Sequence, residues 1–217
     1  QEGKLFQSLG GQGKIVAIPN GVDIDYFKRQ DESIPMENAF IFTGVMNYFP
    51  NVDTILCFYH EVYPLIKNIM PEIRFYIVGS RPAPEIVAIG QQDPSCIVTG
   101  YVPDVRPYMC KAKLFVAPMK VAQGMQNKIL EAMSMSVPVI TYSQIAQPLG
   151  LDENDGVVKV NDPLEMSRAI ERLMHNEEER ARLARSARKS VVEKYHWKPQ
   201  LQKLTNLVEE ITAAKPV

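Results

Sequence analysis

Residues 118–134 read Pro-Met-Lys-Val-Ala-Gln-Gly-Met-Gln-Asn-Lys-Ile-Leu-Glu-Ala-Met-Ser and hold the densest group of side chains fit for binding chemistry. The order reads as strand end, short loop, Gly124 and helix. A helix N-terminus offers free N–H groups and partial positive charge, which suit phosphate. Gly124 carries no side chain and lets a ligand approach the backbone closely. With about 100° between successive helical residues, a helix over 124–135 puts Gly124, Asn127, Lys128 and Glu131 on one face. Met125, Ile129, Leu130 and Met133 lie opposite. Lys128 then stands where it would neutralise a phosphate. Glu131, one turn deeper, would accept two hydrogen bonds from a ribose diol. The same spacing also describes a surface helix with a Lys128–Glu131 ion pair.

Positioning those residues needs a scaffold, and the apolar runs supply one. Runs at 14–18, 39–43, 73–78, 96–99, 113–118, 137–142 and 157–160 are rich in Val, Ile and Phe. They read as strands buried on both faces. Between them the spacing predicts helices over 54–70, 124–135, 164–175, 177–195 and 198–213. Pro64 should kink or divide the first of these. Alternating strand and helix implies an α/β fold, a Rossmann-like parallel sheet with helices on both faces. Ligands of such sheets sit at the carboxyl ends of the strands, where strand order reverses. The loops expected there are 44–53, 79–84, 100–104, 118–124 and 143–149.

Composition narrows the function. The 217 residues carry 24 Lys plus Arg against 25 Asp plus Glu, a net charge of −1. That balance argues against a dedicated binder of nucleic acid or acidic membrane. Cys57, Cys96 and Cys110 lie far apart, which argues against a disulfide scaffold and fits a reducing, cytoplasmic setting. His60, His175 and His196 show no zinc-ligand spacing. No carboxylate pair stands in a suitable loop, so no metal ligand set is read. The basic stretch 177–198 allows at most peripheral contact with an anionic membrane face and otherwise reads as a solvated helix.

Several segments, in consistent order, resemble the C-terminal, donor-binding half of family 4 (group 1) glycosyltransferases of the GT-B fold. They are Ile-Pro-Asn-Gly-Val-Asp-Ile-Asp-Tyr-Phe at 18–27, Phe-Tyr-Ile-Val-Gly at 75–79 and Val-Thr-Gly-Tyr-Val-Pro-Asp at 98–104. Gly-Met-Gln-Asn-Lys-Ile-Leu-Glu-Ala-Met at 124–133 and Val-Pro-Val-Ile at 137–140 complete the set. Pro50-Asn51, Gln126-Asn127-Lys128 and Tyr195-His196-Trp197 look closest to sugar transferases of bacterial exopolysaccharide systems.

The resemblance implies transfer of a sugar from a UDP- or GDP-linked donor to a saccharide or lipid-linked acceptor, with retention and without a further cofactor. It implies a nucleotide-binding set of Glu131, Lys128, Gly124, Met125, Asn127, Tyr101, Val102, Arg81 and Gly44. Tyr101 and Val102 would face the nucleobase. The position that contacts the donor sugar, usually glutamate, is Gln123 here, which carries no charge. The usual cation pair after Gly44 is missing from Val-Met-Asn-Tyr-Phe-Pro-Asn at 45–51. Lys128, with Lys120 or Arg81, would replace it. Residues 1–13 read as a tail or linker, 14–197 as the nucleotide-sugar domain, and 198–217 as a helix that would pack on an N-terminal domain. The chain opens with Gln1, and without that domain it is expected to transfer no sugar. Other readings stay open: a relative with different chemistry, such as a nucleotide-sugar epimerase, or a non-catalytic nucleotide-sugar-binding module.

Overall fold

The computed structural model describes residues 6–11, 15–16, 18–29, 33–121 and 124–213. Among the described residues six strands form: β1 (Ala39–Thr43), β2 (Arg74–Val78), β3 (Cys96–Val98), β4 (Leu114–Ala117), β5 (Val139–Tyr142) and β6 (Val157–Val160). They pair in parallel in the order β3-β2-β1-β4-β5-β6. Every residue of β1, β4 and β5 is buried, because helices cover both faces of the sheet. The chain builds outward from β1 to β3 and then returns to the other side of β1 with β4. Strand order therefore reverses between β1 and β4, and the crevice of such a sheet opens at their carboxyl ends.

The run at 14–18 departs from the strand that its apolar pattern predicts. Its described residues Ile15, Val16 and Ile18 form no strand, and Ile15 and Val16 are exposed. An apolar run becomes a strand only where a sheet edge receives it. The edges here are β3 and β6, and neither does.

Helix α1 (Phe49–Glu61) and helix α2 (Tyr63–Ile69) replace the single helix expected over 54–70. Pro64 lacks an N–H and would collide with the preceding turn inside a continuous helix. In the first turn of α2 it meets neither problem, and the chain breaks at Val62. Pro50 likewise sits in the first turn of α1, which begins earlier than the apolar spacing suggested. Helices α3 (Pro84–Gln92), α4 (Arg106–Lys111), α5 (Asn127–Ser134), α6 (Ser143–Ala146), α7 (Pro163–His175), α8 (Glu177–Lys194) and α9 (Trp197–Ala213) follow. Within α9 only Gln200 is buried, while Leu201, Leu204, Val208 and Ile211 stay exposed.

Two packing devices fix the site helix α5 and the strand ends. Arg188 of α8 donates to the carbonyls of Ile24, Phe27 and Ser134 and to Ser134 Oγ, at 2.8–3.0 Å. It thus pins the C-terminal end of α5 to the segment at 24–27. At the carboxyl end of β2, Gly79 has φ +153°, and a Cβ there would lie 1.7 Å from the Gly44 carbonyl oxygen. A third device anchors α8. Asp155 is buried and accepts from Ser190 Oγ at 2.6 Å and Lys194 Nζ at 2.5 Å. Burial alone would raise its carboxyl pKa, but those hydrogen bonds outweigh it and hold the group below its ordinary value.

Two outcomes follow. Gly79→Ala should lose about 2–6 kcal/mol, because backbone strain and forced overpacking each cost about 1–3 kcal/mol. A urea melt within 1 kcal/mol of wild type would contradict the close approach. Asp155 has a folded pKa below its unfolded value of about 3.9. Its contribution is therefore complete above that pH and disappears as pH falls through the folded value. Wild type should exceed Asp155→Asn by about 1.5–3 kcal/mol at pH 7 and lose that advantage in acid, as read by urea midpoints. A constant gap down to pH 2 would reject the assignment.

Candidate functional site

The loops after β1 and β2 form one unit. Gly44 N–H donates to the Val78 carbonyl at 3.1 Å, Met46 N–H to Ser80 at 2.8 Å and Ala83 N–H to Met46 at 3.1 Å. Glycine at 79 permits that zipper. Asn51, in the first turn of α1, is buried against it. Its Nδ2 donates to the Val45 carbonyl at 3.0 Å. Its Oδ1 accepts from Lys128 Nζ at 2.7 Å. Lys128 belongs to α5, which follows β4. The bond therefore crosses the point where strand order reverses. The ammonium also lies 4.3 Å from the centre of the Phe42 ring at the end of β1, a favourable cation–π placement.

Charge at this point is poorly compensated. Lys128 is half-buried, and burial brings its amine down to about 8, opposed only by the field of Glu131. Glu131 is also half-buried, and burial raises its carboxyl against the opposing field of Lys128. Among the described residues, no hydrogen bond or ion pair reaches the Glu131 carboxylate, and Lys128 has one neutral oxygen partner. The two do not form the surface ion pair that their spacing allowed. A half-buried, unpaired ion is costly. Two such ions of opposite sign, one helical turn apart, suit a ligand that is anionic at one end and rich in hydroxyl donors at the other.

The other predicted positions divide. Helix α5 starts at Asn127, not at Gly124, so Gly124 is no part of its polar face. The reason is local: Gly124 has φ +67°, a left-handed conformation foreign to the helix. Among the described residues, a Cβ at Gly124 would meet nothing within 4 Å, so the backbone is open at that position. Among the described residues no side chain caps the helix start at Gln126; Ile129 N–H donates to the Gln126 carbonyl at 2.9 Å, which leaves the N–H groups of Asn127 and Lys128 to a ligand or solvent. Met125 packs half-buried against the core. Asn127 Oδ1 accepts from Asn20 Nδ2 at 3.1 Å. Gln123 lies outside the described residues.

Gly44 is crowded: a Cβ there would lie 2.7 Å from Asn51 Nδ2 and 3.3 Å from Lys128 Nζ. Arg81 is exposed at the end of β2 with φ +55°, a strained value for a side-chain-bearing residue. Lys120 is held by both oxygens of Glu61 at 2.8 and 3.0 Å. Tyr101 is 77% exposed beyond β3, and Val102 packs partly against the core. Strand order places all these loops on one edge of the sheet. A groove of about 430 Å³ lies elsewhere, against α9, and contains none of these residues.

Sequence spacing did not reveal Asn51, Phe42 or Asn20 as parts of the site. The Pro50-Asn51 pair was visible as a motif. Its contact with Lys128 became legible only with the strand order, because 77 residues separate the two.

The sequence model of the family described as "Glycosyl transferases group 1" matches residues 37–176, well over half of the chain. A search of curated proteins returned no match. Among solved structures, a mutant of TarM from S. aureus, in complex with fondaparinux, alpha-GlcNAc-glycerol and UDP, superposes with TM-score 0.76 at 20% identity. That match covers 95% of this chain and 42% of that one. HepE from Anabaena, in complex with UDP, gives TM-score 0.79 at 14% identity over 95% of this chain and 61% of that one. The C-terminal domain of a group 1 family glycosyl transferase, LpcC from Francisella tularensis, gives TM-score 0.62 at 18% identity over 81% of this chain and 99% of that domain. This chain thus spans about half the length of TarM and HepE. The chain belongs to the group 1 glycosyltransferases, and its fold is one half of the GT-B architecture.

Lys128 makes a measurable demand on stability. Its folded pKa of about 8 lies below an unfolded value of about 10.4. Between them the unfolded chain binds the additional proton, so stability rises with pH across that window. The wild type should gain on Lys128→Met between about pH 8 and 10, measured as paired urea midpoints. Parallel curves would show that Lys128 is freely solvated.

Proposed function

We propose that this domain binds the nucleotide-sugar donor of a glycosyltransferase in the crevice between the ends of β1 and β4. One observation carries the reading: Lys128 and Glu131 are half-buried, oppositely charged and unpaired, one turn apart on the site helix. Glu131 takes the ribose hydroxyls. Lys128 and the uncapped start of α5 take the diphosphate. As the bond from sugar to diphosphate breaks, negative charge grows on the leaving phosphate, and these fixed donors stabilise it. The positive charge comes from protein groups, so no metal is obligatory. Arg81 supplies a second cation from the loop after β2. Tyr101 and Val102 border the nucleobase, and Gln123 contacts the donor sugar.

The complexes of TarM and HepE with UDP favour a UDP-linked donor here. In the full protein the acceptor is a saccharide or lipid-linked saccharide bound by a preceding domain, and the reaction retains configuration. Polysaccharide synthesis on the cytoplasmic side of a membrane, with at most peripheral contact, fits this reading. No helix among the described residues is long and apolar enough to cross a membrane.

Calorimetry with UDP and uridine tests the site. UDP should bind this domain weakly and equally well with EDTA present. Glu131→Ala should weaken both ligands by roughly 1.5–3 kcal/mol, the range for hydrogen bonds to a charged group. Lys128→Ala should weaken UDP and leave uridine nearly unchanged. No binding of UDP, GDP or ADP, or equal affinities across all variants, would end the donor-site assignment.

A further inference from the structure

We infer that Asn51 is a positioning residue of the donor site, whose neutral amide holds the Lys128 ammonium across the strand-order reversal while leaving its charge free for the diphosphate. This rests on the donor-site reading and adds a residue to it. The amide orientation follows from chemistry. The Val45 carbonyl can only accept, so Nδ2 must face it at 3.0 Å. Oδ1 must then face the other partner, and an ammonium can only donate, as Lys128 does at 2.7 Å. One side chain thus fastens the loop after β1 to the helix after β4.

The neighbours support a dedicated arrangement. Gly44 lies directly beneath the bridge. A Cβ there would sit 2.7 Å from Asn51 Nδ2 and 3.3 Å from Lys128 Nζ, so a side chain at 44 would force the two apart. The Phe42 ring flanks the ammonium at 4.3 Å. Asn51 is 7% exposed, so solvent does not compete for its amide. A lysine ammonium has three N–H donors, and one is used here. The choice of amide over carboxylate matters. Aspartate at 51 would fit the same space, but its charge would neutralise Lys128 and repel an incoming diphosphate.

The test compares UDP with uridine in wild type and Asn51→Asp by calorimetry, beside NMR titration of the Lys128 side-chain amine. The inference expects Asn51→Asp to lose at least tenfold in UDP affinity, to keep uridine affinity within about twofold, and to raise the pKa of Lys128. An unchanged UDP-to-uridine ratio in the folded variant would overturn it. If Asn51→Asp does not fold, the wild type decides. UDP should shift the Asn51 side-chain amide resonances and uridine should not, and identical responses to both would reject the role. If wild type binds no nucleotide, the donor-site reading fails. The Asn51–Lys128 coupling is then judged alone by whether Asn51→Asp raises the Lys128 pKa, and an unmoved value overturns it.

Discussion

The carbonyl oxygen of Gly44 occupies the space that any side chain at position 79 would need. That close approach of two strand ends is the constraint on which the site depends. It lets the loops after β1 and β2 zip together through Gly44, Met46 and Ala83. A zipped pair of loops is a rigid wall, and the first turn of α1 is built against it. Asn51 gains a fixed carbonyl partner at Val45 in this way. Lys128 in turn gains a fixed partner in Asn51. Each step converts backbone geometry into the position of one side chain, and the last is a cation at the reversal of strand order. From the opposite side, Arg188 grips the far end of α5 through Ser134, so the site helix is held at both ends.

Much of this fold is legible in the sequence. β1 and β6 match their apolar runs at 39–43 and 157–160, and the other four strands lie within theirs. Pro64 predicted the break between α1 and α2. What fails has a physical cause. The run at 14–18 is apolar enough for a strand, but a strand needs a neighbour that no local pattern specifies. Spacing alone puts Gly124 at a helix start, because glycine, an amide, a cation and a carboxylate recur at helical spacing. Its left-handed φ instead places it in the approach to the helix. For the site, the paired charges on α5 were visible from spacing, but their state was not. Whether Lys128 and Glu131 pair with each other or wait unpaired depends on burial and on Asn51, which strand order brings in from a distant segment.

The loop at 45–51 bears on where the proposed donor site keeps its positive charge. A group 1 glycosyltransferase is expected to carry cations after Gly44, and this chain has Val45, Tyr48 and Phe49 exposed there instead. Lys120, the nearest cation in sequence to the open loop after β4, is engaged by Glu61. Lys128 is therefore the cation that both burial and topology bring to the reversal. Its amine is brought down to about 8, so at neutral pH it keeps its proton with little in reserve. An aspartate at 51 would relieve that stress by pairing with the ammonium, and would spend the charge in doing so. An apolar residue would relieve nothing and would leave Lys128 without a hydrogen bond inside the fold. The amide meets both requirements: it accepts one hydrogen bond and contributes no net charge. The unpaired carboxylate of Glu131 follows the same logic one turn deeper. Stability is withheld at two adjacent positions, and on the proposed donor-site reading a ligand with a phosphate at one end and a diol at the other would restore it on binding.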